Sequence, residues 1–366
     1  MRIGIDAREL CGRATGVGRY LGGLLQHWAT DGRAHEFVLY APEAFALPFD
    51  GRRFATRLVP GGGGTWWEQI QLPRAAAADH LDAWFAPAYT APLRLGMPFV
   101  VTIHDLSFVA HPEWFRFREG ARRRWLVGRA ARKAAAIITV SQFSQKELID
   151  RLDIAPGRIH VIPPGIPVPR PASVQSRRNS HSPAPSSCRI LFVGSLFNRR
   201  HVVDLIRAFA PIARSRPDIS LDIVGDDRSY PHEDLRATMT AEGVADRVRW
   251  HEYATDQQLR DLYAGARAFA FLSEYEGLGL TPLEALAAGV PPVLLDTAVA
   301  RESCGGAAVY VPPGSIAAIT AALEAALFDE AVRSRILAAA PRELAKYSWP
   351  RAAKETLAVI EGAASL

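Results

Sequence analysis

Along the chain, short apolar runs alternate with segments whose apolar residues recur every three or four positions. The runs at 2–5, 36–40, 83–86, 99–103 and 137–140 read as buried strands. After the first of them, Val17, Tyr20, Leu21, Leu24, Leu25 and Trp28 share one helical face, which predicts a helix there. Further runs at 189–193, 220–224, 247–251, 268–272 and 291–295 repeat the pattern, with a helix predicted over 201–213. Apolar strands separated by helices imply parallel sheets covered on both faces. The expected fold class is α/β, with two Rossmann-like, doubly wound domains.

Between the two halves the pattern stops. Residues 167–187 are rich in Pro, Ser and Arg and cannot bury apolar area, which predicts a solvated linker. The expected division is a first domain over 1–168, a linker over 169–187 and a second domain over 188–348, followed by a last helix within 349–366. Open parallel sheets bind ligands beyond the C-terminal ends of their strands, so chemistry is expected where two such sheets face a cleft.

Composition narrows this picture. The 366 residues are 49% hydrophobic and 22% charged, ordinary globular values that suit two domains. The net charge of +5 suggests phosphates or an anionic lipid surface as partners, and no nucleic acid is expected. Cys11, Cys188 and Cys304 are far apart, which argues against a disulfide framework or a zinc site and favours a reducing, cytoplasmic setting. The first ten residues carry no signal pattern, and no apolar run approaches the roughly 20 residues of a membrane span.

The strongest motif is Ser273-Glu274-Tyr275-Glu276-Gly277-Leu278-Gly279-Leu280-Thr281-Pro282-Leu283-Glu284, directly after an apolar run. Thr281 reads as an N-cap and Pro282 as the first residue of a helix over 282–288. The free amides and positive end of that helix would attract a diphosphate. Thr281-x-x-Glu284 also has the form of a capping box, so Glu284 either closes the helix or meets a ligand. Glu276, between a core strand and a glycine loop, can accept hydrogen bonds from sugar hydroxyls. Earlier, Gly194-Ser195-Leu196-Phe197-Asn198-Arg199-Arg200-His201 follows another apolar run. Arg199 and Arg200 can neutralise a diphosphate, or simply open a solvated helix. Gly225 ends a third run and permits close approach. No Asp-x-Asp is present, so no metal site is expected.

Glu276 and Glu284, with seven residues between them, resemble the paired-glutamate signature of the family 4 retaining glycosyltransferases, which have the GT-B fold. Leu278 stands where that family more often has an aromatic. The resemblance implies that Glu276 lies beside the donor sugar and that Glu284 holds the ribose. It assigns the Gly277, Leu278, Gly279, Leu280 and Thr281 backbone to sugar and phosphates. Gly194 and Ser195 with Arg199 and Arg200 match the family's basic diphosphate element. Arg200 replaces the usual Lys, and His201 stands where Asn or Gly is common. Tyr253 and Ala254 match the strand end that contacts the base.

In the first half, Thr15-Gly16-Val17-Gly18-Arg19 would face the donor, with Gly16, Gly18 and Arg19 as contacts. His104-Asp105-Leu106-Ser107-Phe108 through His111-Pro112-Glu113-Trp114-Phe115 is similar to a signature of the polysaccharide-assembly branch. It implies that His104 touches the donor sugar near the reacting carbon, with Asp105 orienting the loop or the histidine. In this fold the last helix crosses back to the first domain.

The resemblance implies a metal-independent hexosyltransferase without cofactor, resembling the mannosyltransferases of lipopolysaccharide assembly. GDP-mannose is the expected donor and a glycan or lipid-linked hydroxyl the expected acceptor. The arginines among 116–133, interleaved with Trp125 and Leu126, read as a solvated helix face or as a peripheral contact with an anionic membrane. Trp66-Trp67 reads as an acceptor or membrane loop, or as a core anchor. A nucleotide-sugar epimerase of the same architecture and a catalytically silent scaffold are the rivals. An oxidoreductase is a weaker one, because Leu21 takes the last glycine position of a dinucleotide fingerprint.

Overall fold

A computed structural model describes residues 1–12, 15–166 and 188–365. The expected linker over 169–187 lies outside these residues. The chain divides into two compact units, Met1–Gly165 with Tyr347–Leu366, and Ile166–Lys346.

The first unit holds a parallel sheet in the order β3-β2-β1-β4-β5-β6-β7. Its strands are β1 (Arg2–Asp6), β2 (Glu36–Ala41), β3 (Phe54–Leu58), β4 (Ala83–Ala86), β5 (Phe99–Thr102), β6 (Ala136–Thr139) and β7 (Ile159–Val161). Central strands are buried along their whole length because helices cover both faces, as β4 and β5 show. The helix Gly16–Trp28 buries Tyr20, Leu21, Leu24, Leu25 and Trp28, the face expected from their spacing. The helix Trp349–Ala364 joins the same core through Ala352, Ala353, Leu357 and Ile360. Trp28 Nε1 donates to the Ala353 carbonyl at 2.9 Å, so this buried indole keeps its polar end satisfied.

The second unit has its own parallel sheet, ordered β10-β9-β8-β11-β12-β13. The strands are β8 (Cys188–Val193), β9 (Ile219–Val224), β10 (Val248–His251), β11 (Ala268–Phe271), β12 (Pro292–Leu295) and β13 (Val309–Val311). The helix predicted at 201–213 is found at Val202–Ser215. In each sheet the order reverses beside its first strand, at β1/β4 and at β8/β11. Such a switch point opens a crevice beyond the strand ends, because neighbouring connections leave on opposite faces.

Three strands escaped the periodicity: β3, β7 and β13, each at a sheet edge. β3 buries only Phe54, and β7 and β13 are three residues long. Short or polar edge strands resist unwanted pairing, and for the same reason they give no apolar run to read.

Candidate active site

The second unit's switch point brings two segments together. After β8 the chain passes Gly194 and Ser195 into a single turn, Asn198–Arg200. After β11 it passes Ser273 to Glu276. Arg200 Nε donates to Glu276 Oε1 at 2.8 Å, with side chains only 13% and 17% exposed. A desolvated, charge-assisted pair of this kind is stronger than a solvated one. Arg200 Nη1 also donates to the Ser195 carbonyl at 2.9 Å, and Ser273 Oγ donates to Glu276 Oε1 at 2.8 Å. The guanidinium carbon lies 5.4 Å from the Phe197 ring centre and 5.0 Å from that of Phe271. Arg199 stacks on Phe197 at 4.2 Å, and its carbonyl accepts from the Glu274 amide at 2.9 Å. One carboxylate oxygen of Glu276 is therefore held in place, while Oε2 makes no hydrogen bond among the described residues.

Two glycines let these segments approach. A Cβ on Gly225 would stand 2.0 Å from the Gly194 carbonyl oxygen, and one on Gly194 would stand 2.6 Å from Arg200 Nη1. Ser195 Oγ donates to Asp226 at 2.7 Å. Burial pushes the Asp226 carboxyl up, but hydrogen bonds from Ser195 and Arg228 outweigh it and hold the group below its usual value.

The helix after the glycine loop starts earlier than expected, at Leu280, and runs to Ala287. Gly279 is its N-cap at φ 82° and provides no side-chain cap. Thr281 therefore lies inside the first turn, and of the two readings left open for Glu284 the capping box does not form. Its hydroxyl is buried without a hydrogen-bond partner, and Glu284 instead accepts from the Tyr263 hydroxyl at 3.0 Å. A capping box occurs elsewhere, at Thr255 and Gln258, where both reciprocal bonds are made. That box fixes the chain just after Tyr253, which is exposed, and Ala254, which is buried. Leu278 is buried and Leu280 is half-buried. Ser273, Glu276, Leu278, Gly279 and Pro282 line a small hollow together with Leu294 and Thr297.

The first unit places its own candidates at the ends of its strands. Thr15 caps the helix Gly16–Trp28, accepting from the Gly18 amide at 3.0 Å. A Cβ on Gly18 would meet the Glu9 carbonyl oxygen at 2.4 Å, so this glycine has a packing reason of its own. Gly16 and Arg19 are exposed. His104 Nε2 donates to the Pro87 carbonyl at 2.8 Å, and its ring meets Tyr20 and Tyr89 edge-on at 5.0 and 5.6 Å. Burial pushes its pKa below the ordinary value, which favours neutral imidazole with Nδ1 as the acceptor. Asp105 takes the Ser107 amide and the Tyr89 hydroxyl, so it orders the loop rather than the histidine. Trp66 and Trp67 separate: Trp66 is exposed, while Trp67 is buried and donates to Val59.

Sequence reasoning missed Ser273, Phe197 and Phe271 as the supports of Arg200 and Glu276. A hydroxyl and two rings within a few residues of the charged pair were the available signal. Among the described residues, no cluster of three His, Cys, Asp or Glu side chains is placed to hold a metal ion. No described helix is long and apolar enough to cross a membrane.

Comparison with known proteins matches two family models. "Glycosyltransferase Family 4" covers residues 14–170, and "Glycosyl transferases group 1" covers 174–343. The chain is 26% identical to the O-antigen chain mannosyltransferase B of Escherichia coli, over 77% of this chain and 75% of that protein. It is 29% identical to the MMP alpha-(1->4)-mannosyltransferase of Mycolicibacterium hassiacum, over 74% and 66%. Among solved structures it is similar to WaaG, a glycosyltransferase involved in lipopolysaccharide biosynthesis. The TM-score there is 0.74 at 19% identity, covering 99% and 100% of the two chains. It is also similar to Anabaena HepE in complex with UDP-glucose, with a TM-score of 0.73 at 20% identity over 98% and 99%.

Proposed function

Because the chain belongs to the family 4 glycosyltransferases of GT-B fold, we propose that it transfers a hexose from a nucleotide-diphosphate sugar to an acceptor hydroxyl, with retention of configuration. The acceptor is a glycan or lipid-linked glycan of cell-surface polysaccharide synthesis, and the donor is GDP-mannose. The mannosyltransferase names of two relatives support that sugar, whereas the UDP-glucose bound by HepE favours a different base.

The observation that carries this reading is the Arg200–Glu276 pair beside an uncapped helix start at the switch point. In this reading the diphosphate meets Arg200, Arg199 and the first amides of the Leu280–Ala287 helix. Glu276 Oε2 and the glycine-loop amides grip the sugar, and Glu284 takes the ribose. As the bond from the anomeric carbon to the phosphate oxygen breaks, these cations and amides stabilise the departing charge. Preorganised stabilisation of that kind is the largest catalytic term in many enzymes. The acceptor oxygen bonds to the same face of the anomeric carbon, and the leaving phosphate takes its proton. From the first unit, the resemblance assigns His104 to the sugar and Arg19 to the diphosphate or the acceptor.

A thermal-shift panel of GDP-mannose, UDP-glucose, ADP-glucose and their diphosphates tests the donor. Ligand at about 100 times Kd adds roughly 2.7 kcal/mol of apparent stability. GDP-mannose is expected to raise Tm most. A shift with a UDP-sugar alone would replace the base but keep the reaction, and no shift with any of them would reject the reaction.

The helix Phe117–Lys133 supports a second part of the proposal, a peripheral site at the inner face of the membrane. Arg118, Arg122, Trp125, Arg129 and Arg132 recur at helical spacing and are exposed, and Phe117 is more exposed still. Basic residues flanking apolar rings suit an anionic interface. Vesicles containing phosphatidylglycerol are expected to co-sediment the protein, and R122Q/R129Q is expected to weaken this about tenfold or more. Equal binding to phosphatidylcholine vesicles would reject the lipid surface.

A further inference from the structure

His201 follows the basic turn directly, and its backbone sits in the left-handed region at φ 48°. Most side chains with a Cβ are disfavoured there; Asn, Asp and His tolerate that conformation better than others, and Gly adopts it without strain. Such an outlier persists where the surroundings over-determine it. Here the imidazole lies between two carboxylates on different segments. Nδ1 is 3.1 Å from Asp204 Oδ2, on the helix that begins at Val202, and Nε2 is 2.8 Å from Glu274 Oε1, on the loop after β11.

These contacts continue a run of cross-links between the same two segments. The Glu274 amide donates to the Arg199 carbonyl, Arg200 pairs with Glu276, and His201 faces Glu274. The first two are hydrogen bonds; the third is a close approach of the ring's buried Nε2 to the carboxylate, in which that nitrogen makes no hydrogen bond, while Nδ1 bonds Asp204. On the turn's other side, Asn198 bonds the Pro231 carbonyl and the Tyr230 amide.

We propose that His201 is a positioning residue: its ring ties the basic turn to the acidic loop, so that Arg200 and Glu276 are already aimed when a donor diphosphate arrives. This rests on the glycosyltransferase reading above. The ring touches neither reacting atom; it acts through Arg199, Arg200 and Glu274.

His201→Gly separates this role from a merely structural one, because glycine keeps the left-handed turn and loses the ring. Tm is expected to hold or rise, since the strain is relieved. Amide exchange at Glu274 is expected to speed up at least tenfold as the tie is released. UDP or GDP, whichever binds the wild type, is expected to bind the variant roughly threefold to fivefold more weakly, the range for a partly exposed pair. Glu274→Gln should give a similar loss, and the double variant no further loss. Unchanged exchange at Glu274, equal nucleotide affinity, or additive losses in the double variant would each overturn the tie. If the wild type binds neither nucleotide, the glycosyltransferase reading fails instead, and the exchange measurement alone decides the tie.

Discussion

Glu276→Ala is expected to lower kcat by two to three orders of magnitude while leaving nucleoside diphosphate affinity within about threefold. The first figure is the usual cost of removing one preorganised group that acts at the transition state, about 2.7–4 kcal/mol. The second follows from the pairing described here. Glu276 occupies Arg200 Nε, so its removal takes an anion away from the guanidinium rather than a cation away from the diphosphate. Arg200 keeps its bond to the Ser195 carbonyl and its place between the Phe197 and Phe271 rings. Glu276→Gln keeps the volume and can still accept from Ser273, so it should lose less. Single-turnover rates, measured beside nucleotide titrations, check both halves. A kcat near the wild-type value would remove Glu276 from the sugar's partners.

The largest expected loss of stability comes from one hydrogen atom replaced by a methyl group. Gly225→Ala would place a carbon 2.0 Å from the Gly194 carbonyl oxygen and 3.1 Å from the Ser195 amide nitrogen. Both contacts are backbone, so no side chain can swing aside. At φ 150° the backbone conformation itself also disfavours alanine. The strands β8 and β9 must part at their ends, at a cost of about 3 kcal/mol or more. For a unit of this size that corresponds to a Tm drop of roughly 6–12 °C. Because the same displacement moves Ser195 and Arg200, nucleotide binding should fall with it. Thermal melts followed with and without nucleotide test this. A variant that melts like the wild type would refute the close-approach account.

How far the molecule was legible from its residues depended on where each residue sits. Central strands such as β4 and β5 announce themselves because both faces are covered, leaving continuous apolar runs. The edge strands lack that cover and lack the signal. Charged residues of the site were visible as motifs, but the partner of Glu284 was not, since Tyr263 reaches it only through tertiary contact. Thr281-x-x-Glu284 shows the limit of local pattern. The spacing of a capping box is present, yet Gly279 takes a left-handed conformation and starts the helix two residues sooner. A reciprocal box needs its threonine outside the helix, and that condition is set by the glycine rather than by the motif. Asp105 is similar: its neighbour His104 invited a pairing, but the nearer Ser107 amide and the Tyr89 hydroxyl took the carboxylate.

The helix Trp349–Ala364 has a bearing on how the protein is made. Its residues Ala352, Ala353, Leu357, Ile360 and Ala363 complete a core whose other buried members lie before residue 165. On the ribosome, the early segment must wait until the whole intervening unit has been synthesised, which takes on the order of ten seconds or more. Meanwhile the indole of Trp28 lacks its acceptor at Ala353. The middle unit, continuous in sequence, can finish first, and the unit begun earliest is sealed last. Contacts so distant along the chain are slow to form, so nascent chains stalled before residue 349 should be the ones that chaperones hold.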